Sequence, residues 1–451
     1  MELSFVGASM QQFVKGRKNT AMENNIFVQL MDKEITSGAG CGEWKAFGLA
    51  TATARKYAPG EIRHICVEGS PLLVIGVQTI LIPHTGGKRG GMLSTAMGAI
   101  CGDPSLGLGV LNTVTEADVK AAEELVATGK ISINMDSTAP DVYLKTVMET
   151  DQHTVTVIIS GAYNSIKYVE LDGKALIDVR EDQKNDLDCS SLSVDSIYDY
   201  CKNCDLSELD RFNNLIKLTR EISKDGLDNP YGMQVGRTLQ ENIEKGFIAK
   251  DEVEHILMWT VSGIDARMNG SCHASVGNTG SASQGHIICA APIAAGEYRG
   301  CSEEEIIRAV TMSNLLNIYM DYLTKEYAHL SPMCYCGSVG VAAAIGGVAY
   351  LHDFTKKQIT DLLRSVLGTL PGIICDGASK PICALRVYTG MSGALQAMLI
   401  VEKGISIQGY EGIVNDSLEV TLDNIYRLQK ECMSNVNDFV FKIKTEQGNL
   451  R

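Results

Sequence analysis

The chain has 451 residues, of which 45% are hydrophobic and 21% charged, with a formal net charge of −14. This length implies two or three folded units with ample core. The acidic balance argues against nucleic acid as the main partner, because phosphate binding relies on a basic surface. Residues 1–20 lack the charged-then-apolar pattern of a secretory leader, and no uninterrupted apolar run reaches the ~20 residues that span a bilayer. A cytoplasmic protein with no membrane partner is therefore expected, its fourteen cysteines serving as thiols or metal ligands rather than disulfides.

Residues 25–35 have the apolar spacing of a short amphipathic helix. Ser37-Gly-Ala-Gly-Cys-Gly-Glu43 then reads as a Gly-rich bend ahead of a helix over 46–57. This puts Cys41 near a helix N-terminus, where unpaired N–H groups and the helix dipole favour the thiolate. A small residue in a tight turn is the plainer alternative. Residues 67–83 are apolar and β-branched, consistent with a strand or a buried helix. They lead into His84-Thr-Gly-Gly-Lys-Arg-Gly-Gly-Met92, which lacks the order of a nucleotide loop. Lys88 and Arg89 in this loop could instead hold a substrate carboxylate, or the loop could be a solvated turn. Thr115 and Asp118 have capping-box spacing at the head of a helix over 116–128.

From 130 to 177 the pattern becomes alternating and β-branched, with strands at 154–160 and 168–171 and a hairpin turn at Asp172-Gly173. The acidic segment 178–207 is read as a crossing to the next unit. Its Cys201 and Cys204 form a CxxC without the partner pair or setting that would make it a metal or redox motif. Beyond 206 almost everything has helical spacing, with cap pairs at Asp251/Glu254, Ser302/Glu305 and Thr355/Gln358. Between two of these helices, the stretch from Asp265 to Gly285 is rich in Gly, Ser, Asn and Gln and suits contact with a ligand. Its candidates are Arg267, Asn278, Ser281, Ser283 and Gln284. The fold class expected is α+β: an N-terminal α/β region over 1–129, a small β-rich unit over 130–180 and a large helical unit over 181–451.

Four cysteines concentrate between 330 and 390. Cys334 and Cys336 precede a Gly/Ala-rich helical segment. Cys375 and Cys383 flank Asp376, Gly377 and Pro381 in a turn-rich loop ahead of a helix over 384–403. Loops at helix ends let thiolates converge on one centre, although buried cysteines can also be small core hydrophobes. Three thiolates on a four-iron, four-sulfur (4Fe-4S) cluster would leave one iron open to act as a Lewis acid.

Taken together, several motifs resemble the L-cysteine desulfidase family, iron-sulfur relatives of the alpha domain of bacterial L-serine dehydratase. The carriers are Ser-Gly-Ala-Gly-Cys-Gly-Glu (37–43), the Gly-rich segment after Ile82, Asp-Ala-Arg-Met (265–268), Gly-Ser-Ala-Ser-Gln-Gly (280–285), Cys-Tyr-Cys (334–336), and Cys-Asp-Gly-Ala through Cys-Ala-Leu-Arg (375–386). The resemblance implies a serine-dehydratase-alpha-like helical domain. It also implies a 4Fe-4S cluster held by Cys375, Cys383 and one of Cys334 and Cys336, with Cys334 favoured, and Cys41 as proton acceptor. The implied activity is that of a carbon-sulfur lyase converting L-cysteine to hydrogen sulfide, ammonia and pyruvate without pyridoxal phosphate. L-Serine dehydration by the same chemistry and a non-catalytic iron-sulfur protein or sensor are the alternatives. The expected partner is a small amino acid, and a homo-oligomer is left open. The chain departs from the family by having Gly42-Glu43-Trp44 where Thr-Glu-Pro is usual, one extra residue between Cys375 and Cys383, and Arg386 where Lys is commoner.

Overall fold

The computed structural model describes residues 25–39, 42–78, 80–136, 138–140, 142–179, 189–324, 331–375 and 381–446. The first helix, α1 (Ile26–Glu34), starts at Asn25, whose side chain accepts the Phe27 N–H at 3.1 Å. It runs into β1 (Ile35–Ala39), so the expected Gly-rich bend is extended chain at its start. Helix α2 (Gly42–Tyr57) then begins at Gly42, four residues earlier than expected. β2 (Ile62–Gly69) and the short α3 (Pro71–Val77) divide the apolar 67–83 stretch between strand and helix. α4 (Gly91–Cys101) and α5 (Glu116–Ala127) follow, and the Thr115/Asp118 capping box is present at the head of α5.

β3 (Ile131–Met135), β4 (Tyr143–Thr150), β5 (Thr154–Ser160), β6 (Ile166–Leu171) and β7 (Lys174–Asp178) join β2 in one six-stranded sheet of order β3-β2-β4-β5-β6-β7. β2 and β3 are parallel, with α3 to α5 forming the crossover, and the remaining neighbours are antiparallel. The sheet thus takes a strand from before residue 130, and the boundary expected at 129/130 runs through it. Alternate residues such as Leu144, Met148, Val155, Val157 and Ile159 are buried on the face that α2 covers, as a period of two requires. α4 lies on α2 closely enough that a Cβ at Gly98 would stand 2.4 Å from the Gly48 carbonyl.

The remaining chain is helical: α6 (Val194–Asn203), α7 (Arg211–Asp228), α8 (Val235–Glu244) and α9 (Glu252–Met268), then, after strand β8 (Ala274–Asn278), α10 (Ala282–Arg299), α11 (Glu303–Thr324), α12 (Val339–Leu351), α13 (Lys356–Thr369), α14 (Cys383–Glu402), α15 (Leu418–Arg427) and α16 (Val436–Glu446). An α+β fold is the result. The segment read as a crossing holds α6, which buries Cys201, and the Arg308 guanidinium donates to the carbonyls of Cys201 and Cys204. α10 and α12 sit at the centre of the helical unit, flanked by α9 and α11. Among the described helices, α14 has the length and apolarity of a membrane span, and it packs along α9, α12 and α13. β1 crosses between the units to pair antiparallel with β8, Ile35 opposite Asn278 and Ala39 opposite Ala274.

Candidate active site

Where β1 and β8 join the units lies a cavity of about 830 Å³, and Cys334, Cys336, Cys375 and Cys383 all line it. Two of the cysteine segments are laced together by backbone. Met333 and Ile374 form an antiparallel bridge, Cys334 N–H donates to Ile373 O at 2.7 Å, and Cys375 N–H donates to Pro332 O at 2.8 Å. Cys383 arrives as the first residue of α14. Two turns along, a Cβ at Gly390 would stand 2.2 Å from the Gly337 carbonyl, so α14 rests directly on the 334–337 turn. Asp376 and Gly377 lie outside the described residues.

The thiols differ in their surroundings. Burial pushes Cys334 well above the ordinary thiol range, and the neighbouring Cys336, Cys375 and Cys383 push the same way. Burial and Cys375 lift Cys336 to about 11, against Arg267 and the hydroxyls of Ser283 and Ser281, which hold it down. Cys334 is buried and the other three are half-buried; clustered thiols that cannot all ionise in such a wall are relieved by a cation, which lets them ionise as ligands. Among the described residues no three His, Cys, Asp or Glu side chains approach closely enough to hold a single metal ion. A 4Fe-4S cluster takes its cysteines at separate irons, and the four thiols lining this cavity are of the donor type that such a group takes.

Arg267, in the last turn of α9, donates from Nη1 to Ser283 Oγ at 2.7 Å, while its buried Nε has no hydrogen-bond partner. Ser281 caps α10, its Oγ accepting the Gln284 N–H at 3.3 Å. Arg267, Ser281 and Ser283 line the cavity. Asn278 and Gln284 lie behind the wall instead. Asn278 donates to Asn314 Oδ1 and accepts from Asn317, each at 3.0 Å. Gln284 donates to Asn317 Oδ1 at 2.9 Å, and Asn317 donates to Asp321 Oδ2 at the same distance. Burial lifts the Asp321 carboxyl to about 7, although its hydrogen bonds oppose this. The expectation of substrate contact for Asn278 and Gln284 is replaced by a buried polar seam holding β8 and α10 to α11.

Lys88 and Arg89 are exposed and are not among the cavity's lining residues; Lys88 Nζ pairs with Glu123 on α5 at 2.5 Å. A Gly-rich loop with cations has the same composition whether it meets a substrate or a neighbouring acidic helix, so the sequence did not announce this placement. Cys41 lies outside the described residues, but Gly42, Glu43 and Lys45, in the first turn of α2, line the cavity. Glu43 and Lys45 are buried and were missed. The available signal was two opposite charges in a helix otherwise rich in Gly, Ala and Thr. Tyr163, from the β5–β6 turn, and Arg386, on α14, also line the space. Nothing local in the sequence around Tyr163 marks it.

A sequence model of the serine dehydratase alpha chain family matches residues 105–442. A "UPF0597 protein" of Lachnoclostridium phytofermentans is 31% identical over 421 residues, spanning 92% of this chain and 98% of its own length. A protein of the same name from Actinobacillus pleuropneumoniae serotype 5b is 30% identical, spanning 92% of this chain and 96% of its own. One from Clostridium perfringens strain SM101 is 29% identical over 94% of this chain and 98% of its own. The family match contains all four cavity cysteines and the Arg267–Ser283 wall, and it extends into the sheet that supplies Tyr163. This chain belongs to the serine dehydratase alpha chain family.

Proposed function

We propose that the protein is a cytoplasmic iron-sulfur lyase that eliminates sulfide from L-cysteine, giving hydrogen sulfide, ammonia and pyruvate without pyridoxal phosphate. The observation that carries this reading is the placement of four thiols, from three separate segments, on one cavity wall beside Arg267. Cys334, Cys375 and Cys383 are the residues that would hold a 4Fe-4S cluster, because Cys334 is influenced by all three of the other thiols. When bound, such a cluster supplies a Lewis-acidic iron that stabilises negative charge developing on the substrate.

The chain's own groups account for binding and proton transfer. Lys45, Arg267 and Arg386 offer cations to a substrate carboxylate. Helices α2, α10 and α14 all begin at the cavity, and their N-terminal dipoles add to the same positive potential. Cys41, the residue before α2, is the proposed base for the Cα proton. Loss of that proton and of the β-sulfide leaves an enamine, which tautomerises and is hydrolysed by water to pyruvate and ammonia. Leu106, Leu108, Met268 and Tyr163 give the space apolar walls that limit competing water.

L-Serine dehydration is the second reading, favoured by the family match; hydroxide then leaves in place of sulfide. The test is an anaerobic reconstitution with iron and sulfide counted per chain and pyruvate measured from each amino acid. About four irons with preferential turnover of L-cysteine is the expected result, with iron lost in Cys375→Ser and Cys383→Ser. Preference for L-serine selects the second reading. A loaded but inactive protein selects a non-catalytic role, and an iron-free protein removes the cluster.

A further inference from the structure

Tyr163 stands in the turn between β5 and β6, in the sheet and far in sequence from every cavity cysteine. The turn is tied by backbone hydrogen bonds: Gly161 N–H to Val142 O at 3.0 Å, Ser160 N–H to Ser165 O at 3.1 Å and Ser165 N–H to Ala162 O at 3.0 Å. From this base the ring packs against Leu73 and Val142 and lies over the first residue of α2. A Cβ at Gly42 would stand 2.1 Å from Tyr163 Cδ2, 2.6 Å from Cε2 and 2.8 Å from Cγ. The ring thus occupies the space that a side chain at position 42 would fill. Gly42 and Tyr163 also line the cavity that holds the four cysteines.

We infer that Tyr163 is a specificity-determining residue, its ring walling the substrate space at the start of α2 and confining the substrate to three-carbon amino acids. An aromatic ring is large and stiff, and this one is backed on one side by core and on the other by helix backbone, so it cannot yield to a bulkier substrate without displacing α2 or the turn. One methyl group turned away by such a wall changes kcat/KM by roughly 10- to 200-fold. The inference rests on the amino-acid lyase reading above.

The test uses the anaerobically reconstituted full chain as wild type, Tyr163→Phe, Tyr163→Ala, Gly42→Ala and the Gly42→Ala/Tyr163→Ala double variant. kcat/KM is measured for L-cysteine, L-serine and L-threonine, the last through 2-oxobutyrate release, alongside thermal melting. Wild type should discriminate against L-threonine. Tyr163→Ala should narrow the ratio of L-threonine to the better three-carbon substrate by about 10-fold or more, and Tyr163→Phe, which keeps the ring, should not. Gly42→Ala should lower Tm and turnover in the wild-type background and be tolerated once the ring is gone. An unchanged substrate ratio in a folded Tyr163→Ala, or equal damage from Gly42→Ala with and without the ring, overturns the inference. Inactivity of the wild type on all three amino acids overturns the functional reading and this inference with it. An active wild type indifferent to Tyr163 overturns this inference alone.

Discussion

Cys334 and Cys336 are two residues apart, yet Cys334 has the other three thiols as its charged neighbours, whereas Cys336 meets Cys375 together with Arg267, Ser283 and Ser281. Cys334→Ser should therefore lose iron, whereas Cys336→Ser should keep it. Cys41→Ser should also keep its iron while turnover falls by about 10²-fold or more, the scale for removing a positioned base. Iron counts with pyruvate assays check all three, and cluster loss in Cys41→Ser would make that residue a ligand instead. Asp265 raises a different question. Its Oδ2 accepts the Gly236 N–H at 3.0 Å, its Oδ1 is buried without a partner, and burial lifts its pKa from 3.8 to about 7. Between those values the folded chain holds a proton that the unfolded chain has released, so this group withdraws stability as pH rises from about 4 to 7. Asp265→Asn keeps an acceptor for Gly236 and removes the charge. It should gain on the order of 1–3 kcal/mol relative to wild type between pH 5 and pH 8, each pKa unit corresponding to about 1.4 kcal/mol. Denaturant melts at the two pH values measure this, and an identical difference at both would reject it.

At the scale of elements, the helices were the most legible part, because caps and the 3.6-residue period are local. The capping boxes at Thr115 and Thr355 are in place, and Asp251 caps α9 by accepting the Glu254 N–H at 3.0 Å. α14 spans Cys383–Glu402, one residue from the expected 384–403 at each end, and Gly404 follows it with φ +76°. β5 and the Asp172-Gly173 turn were equally readable, since alternation and a left-handed dipeptide (φ +50° and +81°) mark a hairpin. β1 was not legible, because its partner β8 lies more than 200 residues on and no local pattern announces such pairing. Among the site residues, the cysteines stood out by type and Arg267 by its place in a motif. Asn278 and Gln284 are chemically suited to either a ligand or a buried network, and a partner on α11 decided the matter. The seat of α14 on the 334–337 turn is testable at this scale. Gly390→Ala drives a Cβ against a backbone carbonyl, which cannot rotate away, and should destabilise the protein by about 1–3 kcal/mol. Reduced iron uptake should accompany the loss. Full iron and an unchanged denaturation midpoint would show that α14 can shift freely.

For the whole molecule, the β1–β8 ribbon and the shared cavity make the sheet and the helical unit mutually dependent. Thr36→Pro places a residue without an N–H in a two-stranded ribbon, opposite Gly277. It should lower the single melting transition of both units together and weaken iron retention at the cysteines that share the cavity with Thr36. Two separate transitions in the wild-type protein would contradict this coupling. The cavity takes its described lining from Lys33 and Glu34 onward in the chain, then residues 106–108 and 161–164, Arg267 and Met268, residues 280–283 and 334–336, and last Cys375, Cys383 and Arg386. A ribosome delivers these pieces in that order, and folding during synthesis proceeds from the N-terminal end. Most of the chain has emerged before the first of the four thiols appears, so the sheet's side of the cavity can be standing before α12, at the centre of the helical unit, and the cysteines reach it. On this timetable the proposed cluster would enter a nearly finished protein and fasten the last piece. A growth medium short of iron would then leave folded, unloaded chains awaiting metal rather than fragments bound for degradation.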